Sequence, residues 1–142
     1  MDPKPSLDIW LHIESGNFSI LNHAVDKTYG LSAGWGKLLH VEKQEMQQNG
    51  LDNIMDNLKG FGVRDGAEGC ELDGNPSLQR KFEKQHRLVG VSLVDKSVLH
   101  LHPMSKQRAG GHIGEPENVL SLKLPSNNDE FYGLLMEAFA VV

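Results

Sequence analysis

Two alternating apolar runs, Leu88 to Val94 and Ser97 to Pro103, stand on either side of the dipeptide Asp95-Lys96. Side chains two apart on an extended chain point the same way, so Val89, Val91 and Leu93 share one face of the first run. In the second, Leu99 and Leu101 share one face and Val98, His100 and His102 the other. A two-residue connection leaves room only for a tight reversal, which predicts an antiparallel hairpin. Pro103 has no N–H for a ladder, so the second strand is expected to stop there. The apolar face of such a hairpin needs a cover, and 142 residues suffice for one domain with a single core.

The cover is legible on both sides of the hairpin. "LDIWLHI" at 7–13 reads as a strand, with the opening turns of a helix as the alternative. "NFSILNH" at 17–23 places Phe18, Ile20 and Asn22 on one face of a half-buried strand. The glycine-rich "YGLSAGWG" leads into a short apolar run, "KLLHV", at 37–41. From Glu42 to Gly62 the spacing of Leu51, Ile54, Met55 and Leu58 predicts a helix; Gly50 weakens its middle, and Gly60 or Gly62 stops it. Residues 63–75 read as an exposed connection. Asn75 caps and Pro76 opens a second helix, with Leu78 and Phe82 on one side. "NVLSLKL" supplies a further strand, closed by Pro125. Ser126, with Asp129 three residues on, caps a last helix whose Phe131, Leu134, Leu135, Ala138 and Phe139 form one apolar face.

The expected fold is α+β: one domain over 1–142, a central, mostly antiparallel sheet with helices packed on it, and the C-terminal helix docked on the sheet. Residues 1–5 are expected to be disordered. Residues 17–60 and 97–142 repeat one order: strand, glycine-containing loop, short strand, helix. A real echo predicts two related units contributing to one sheet.

The charge is uneven. Residues 1–75 carry twelve acids and six bases, 76–112 seven bases and two acids, and 113–142 five acids and one base. The acidic total, formally −5, disfavours broad nucleic-acid binding and suits a basic partner. Cys70 is the single cysteine, which precludes an internal disulfide and points to a reducing compartment. No apolar leader or membrane-length run is present in the sequence, so a cytoplasmic location without membrane attachment is expected.

Three constellations carry possible chemistry. His100 and His102 project the same way, and His112 could return from the following loop to complete a zinc site with Glu115 or Glu117 nearby; two semi-exposed histidines beside a hairpin satisfy the same pattern. "SKQRAGGHIG" offers glycine N–H groups with Lys106 and Arg108 for an anion, but lacks the spacing of a nucleotide-binding loop. Ser19, Ser32, Ser92 and Ser97 have no spacing that ties any of them to a base, and Cys70 has no identifiable partner. No cofactor is implied. Asp65, Glu68, Glu71 and Asp73 repel one another unless solvent or a cation screens them, so they read either as a solvated loop or as a surface for a basic protein. Trp10 and Trp35 suit core packing, or anchoring at an interface.

"NFSILNH", "YGLSAGWG", "LDNIMDNL" and the late stretch from "VLHLHPMSKQRAGGHIG" to "EFYGLLMEAF" together resemble immunity proteins of bacterial contact-dependent growth inhibition. The resemblance implies a cytoplasmic antitoxin, not an enzyme, that blocks the C-terminal toxin domain of a large secreted or surface effector by tight binding. Such toxins are frequently nucleases. Two toxin-binding surfaces are then open: Asp65, Glu68, Glu71 and Asp73, with Asp52 and Asp56, against a basic groove; or Lys106, Arg108 and His112 against toxin carboxylates. The remaining expectations are a small metal-dependent hydrolase using the three histidines and a non-enzymatic adaptor.

Overall fold

The computed structural model describes residues 4–64, 69–107 and 111–142. Two hairpins form the middle of the sheet. β1 (Ser6–His12) pairs with β2 (Phe18–Asp26), and β6 (His86–Val94) pairs with β7 (Val98–Lys106), all antiparallel; β1 and β6 pair with each other. In the second hairpin Asp95 and Lys96 both take positive φ, 52° and 61°, and Ser97 N–H donates to the Val94 carbonyl; the ladder closes on Val94 and Val98, so three residues connect the strands where two were expected.

Short strands complete both edges. β3 (Ser32–Gly34) and β4 (Leu39–Val41) lie on the two ends of β2, with the two-residue β5 (Val63–Arg64) parallel beside it. β8 (His112–Gly114) and β9 (Leu120–Lys123) lie on the two ends of β7. The pairing therefore reads alike from either edge: long strand, two short partners, then a helix, α1 (Lys43–Lys59) in one half and α3 (Asn128–Val141) in the other. The order noted for 17–60 and 97–142 is matched in this pairing, with β1 and β6 adjacent at the centre of the sheet.

β7 does not stop at Pro103. It runs on to Lys106, and Pro103 falls between the residues that pair with β9 and those that pair with β8. That changeover of outer partner is where a missing donor disturbs the ladder least. Residues 104–106 and 112–114 of the expected loop are consequently strand, and Gln107 N–H donates to the Gly111 carbonyl.

One face of the sheet buries the main core. Leu7, Ile9, Phe18, Ile20, Val89, Val91, Leu99 and Leu101 meet Met46, Leu51, Ile54 and Leu58 of α1 and Phe131, Leu135, Ala138 and Phe139 of α3. Full burial of each large side chain contributes about 1.5–3 kcal/mol. α1 and α3 lie side by side over these strands, so the C-terminal helix docks on the sheet as expected. At Gly50 an added Cβ would lie 3.3 Å from the Phe131 ring and 3.0 Å from Met46 Sδ, so this glycine lets the two helices approach. The helix whose middle Gly50 was expected to weaken leaves helical geometry one residue earlier, at Asn49 (φ −132°, ψ 16°).

The caps agree in part. Leu78 N–H donates to Asn75 Oδ1 at 3.1 Å, so Asn75 and Pro76 open α2 (Pro76–Gln85) as their chemistry predicts. α3 is capped by Asn127, which accepts from Glu130 N–H at 2.9 Å. Ser126, the expected cap, instead donates to the Glu130 carboxylate.

Candidate functional site

The opposite face of the sheet is covered more thinly, and every histidine of the chain lies there. Trp10, Leu21 and Leu88 make a small second core under Leu38, Cys70, Phe82 and Met104. Phe82 of α2 meets the Trp10 ring edge-on, centroids 5.1 Å apart. The segment around Cys70, expected as an exposed connection, is docked here: Cys70 bridges to Gly36, and Leu72 is buried. Trp35 carries the Arg64 guanidinium over its ring at 5.0 Å. Trp10 is only 5% exposed, and its indole N–H has no hydrogen-bond partner among the described residues.

Beyond this small core the face carries several clefts, and two of them hold the histidine hydrogen bonds. The first, about 640 Å³, is lined by His12, His40 and His86 with Glu42 and Gln85. Here the backbone sets the tautomers. His86 Nδ1 lies 2.7 Å from the Phe82 carbonyl, which can only accept, so Nδ1 carries a proton. His12 Nδ1 accepts Ser15 N–H at 3.1 Å, which places the neutral ring's proton on Nε2. The two imidazoles sit on register-paired residues, centroids 5.0 Å apart. Burial pulls the His86 pKa below its ordinary value.

The second cleft, about 480 Å³, is lined by Ser6, Asp8, His23, Ser92 and His102, with Met104, Pro116 and Val119 among its walls. His23 Nε2 is 3.0 Å from Asp8 Oδ2, and His23 Nδ1 is 2.9 Å from Ser6 Oγ. Ser92 Oγ is 2.9 Å from His102 Nε2. Burial, then the neighbouring His100 charge, lowers the His102 pKa.

The residues singled out from sequence fall in separate places. His100 and His102 share a face as expected, ring centroids 6.0 Å apart, but His112 sits across the ladder from Lys106 and packs edge-on against Trp10 at 5.2 Å. Burial lowers the His112 pKa as well. Among the described residues no group of three or more histidine, cysteine, aspartate or glutamate side chains is placed to hold a metal ion, so His100, His102 and His112 do not come together as the zinc alternative requires. Lys106 is exposed at the end of β7. Asp65, Glu68 and Arg108 lie outside the described residues. Glu71 and Asp73 are exposed, yet both have local tasks: Glu71 Oε1 accepts Leu38 N–H at 2.6 Å and Asp73 Oδ2 accepts Cys70 N–H at 2.9 Å.

Sequence reasoning missed Ser6, Asp8 and His23. The spacing of Ser6 and Asp8 on a strand already put them on one face, but His23 joins them only through the β1–β2 register, which no short motif encodes.

Charge gathers elsewhere too. The exposed side chains of α1 and α3 include Glu45, Asp52, Asp56, Asp129, Glu130 and Glu137 against Lys43 and Lys59, six carboxylates and two lysines, formally −4. The helices lie side by side, and Asn128 Nδ2 donates to Asp52 Oδ2 at 3.3 Å, so the charges form one outer face. Among the described residues no helix is long and apolar enough to cross a membrane.

No protein-family model matches the chain, and comparison with curated proteins finds no match. Among solved structures, the protein of unknown function NMB0488 from Neisseria meningitidis aligns with a TM-score of 0.70 over 99% of this chain and 96% of that one, at 10% identity. The two chains share a fold, an α+β domain with a curled antiparallel sheet and helices packed on it.

Proposed function

We propose that this protein is an immunity-type inhibitor that binds the toxin domain of a large secreted or surface effector and occludes its substrate-binding groove. The sequence resemblance motivates the reading, and the acidic outer face of α1 and α3 is the observation that carries it. A nuclease groove is lined with cations that hold phosphates. A rigid helix pair with a formal −4 offers carboxylates in their place, positioned by a core that keeps both helices fixed. Asp52 and Asp56 are one turn apart on α1 and both exposed, Asp52 beside Asn128 Nδ2 at 3.3 Å and Asp56 beside Lys59 Nζ at 3.5 Å.

Peripheral carboxylates act mainly on encounter, whereas desolvated contacts set the lifetime of a complex. The test is association of the purified protein with the C-terminal domains of candidate secreted effectors. Asp52→Lys with Asp56→Lys slows association by roughly threefold to tenfold at low salt and much less at high salt. Equal association rates for variant and wild type at both salt concentrations remove this surface from the account. Loss of binding in Lys106→Ala, with the acidic face intact, would move the interface to the β7–β8 end.

A further inference from the structure

Ser6, His23 and Asp8 stand in the order of a nucleophile, a base and an orienting carboxylate, and all three line the second cleft. The β1–β2 register pairs Leu7 with Asn22, which brings Ser6 opposite His23, while Asp8 follows on the same face of β1. An ionised carboxylate only accepts, so the proton on His23 Nε2 points to Asp8 at 3.0 Å. Nδ1 of the neutral ring then presents its lone pair to the Ser6 hydroxyl at 2.9 Å. This is the polarity that activates a serine, with the roles of the two ring nitrogens set by the carboxylate. Ser92 lies directly across the β1–β6 ladder from Ser6, with its hydroxyl against His102 Nε2. With that nitrogen donating, the Ser92 hydroxyl hydrogen is available to a developing oxyanion.

We propose that this cleft is a serine esterase site for small, uncharged acyl esters, a second activity independent of the protein-binding role assigned to the helix face. Met104, Pro116 and Val119 provide apolar walls for a short acyl chain, while Asp8 and Glu115 disfavour an anionic substrate. Ser6 Oγ attacks the ester carbonyl carbon as its proton passes to His23 Nδ1. The tetrahedral adduct collapses, the C–O bond to the alcohol breaks, and the leaving oxygen takes that proton. Water then attacks the acyl-serine and gives a proton to His23 Nδ1; collapse releases the carboxylic acid, and the proton returns to Ser6 Oγ. The balance is ester plus water to acid plus alcohol.

The experiment treats the full-length protein with a fluorophosphonate probe, maps adducts by peptide mass, and follows hydrolysis of p-nitrophenyl butyrate. The expected result is one adduct, on Ser6. Ser6→Ala removes the adduct, and both Ser6→Ala and His23→Gln lower turnover by about 100-fold or more. Ser92→Ala lowers turnover by about 100-fold while leaving Ser6 in place. Ser105→Ala, on the exposed end of β7, leaves it unchanged. Circular dichroism verifies that each variant is folded, and His23→Gln carries the test should Ser6→Ala not fold. Absence of an adduct on Ser6, or turnover in folded Ser6→Ala or His23→Gln within threefold of wild type, overturns the proposal. Toxin binding is retained in Ser6→Ala, so failure here is distinct from failure of the inhibitor reading.

Discussion

Asn128 is the residue whose loss tests the helix packing most sharply. The backbone leaves helical geometry at Asn49, and the Leu51 N–H donates outside its own helix, to Asn128 Oδ1 at 2.8 Å. Asp52 N–H shares the same acceptor at 3.4 Å, and Asn128 Nδ2 donates to Asp52 Oδ2 at 3.3 Å. Asn128→Ala removes all three. The first dominates, because Leu51 is only 6% exposed and its N–H has no ready replacement; an unsatisfied buried donor costs about 1–3 kcal/mol. The two longer contacts are exposed and add little. The expected loss is about 2 kcal/mol, or roughly 6–10 °C in Tm for a chain of this length. Urea unfolding measures it, and amide hydrogen exchange at Leu51 should speed up before global unfolding does. Asn128→Asp keeps the acceptor and places an acid in the first turn of α3, where the helix dipole favours it, offset by the nearby Asp52 carboxylate. Less than half the loss is expected for it. Asn128→Ala within 0.5 kcal/mol of wild type, or Asn128→Asp as damaging as Asn128→Ala, refutes the reasoning.

Leu135→Ala empties a fully buried position between α3 and the sheet and should cost about 2–5 kcal/mol by denaturant unfolding; a loss under 1 kcal/mol would mean that the core is not packed as described. Burial lowers the pKa values of His86, His102 and His112, so the folded state takes up these protons less readily than the unfolded chain. Their stabilisation is complete above the unfolded histidine value of about 6.5 and is lost as the pH falls from there through the folded values. The urea midpoint should therefore drop between about pH 7.5 and 5.5, with a smaller drop in His102→Gln; a midpoint that holds or rises on acidification contradicts this. Burial also raises the Cys70 thiol pKa, so iodoacetamide should modify it more slowly in the native protein than in urea, and equal rates would mean that the 69–73 segment is not docked on the second face.

The features written in local periodicity were legible in the sequence. The alternation on either side of Asp95-Lys96 specified the β6–β7 hairpin, and Leu51, Ile54 and Leu58 marked the buried side of α1. Asn75-Pro76 marked the start of α2 because its chemistry acts within one turn. The cap of α3 was displaced by one residue, since Ser126 and Asn127 are both competent acceptors and only the chain's entry angle chooses between them. Pro103 misled because a strand can carry a proline where its outer partner changes, and that depends on β8 and β9. The second face was the least legible part. Its histidines come from five strands and the start of the β6 hairpin arm, and the Ser6–His23–Asp8 relay exists only once β1 and β2 are in register. Grouping His100, His102 and His112 by nearness in sequence failed because β8 carries His112 toward Trp10.

The central claim is that this fold presents a surface made to seat on, and silence, a toxin domain. Its most direct test is co-expression with the C-terminal toxin domain of a candidate cognate effector, followed by size-exclusion chromatography with light scattering. The account predicts that the co-expressing cells grow and that the two chains elute as a stoichiometric complex in which the toxin's activity is suppressed. Cells that die while both chains are made in soluble form, with the two proteins eluting separately, would contradict it.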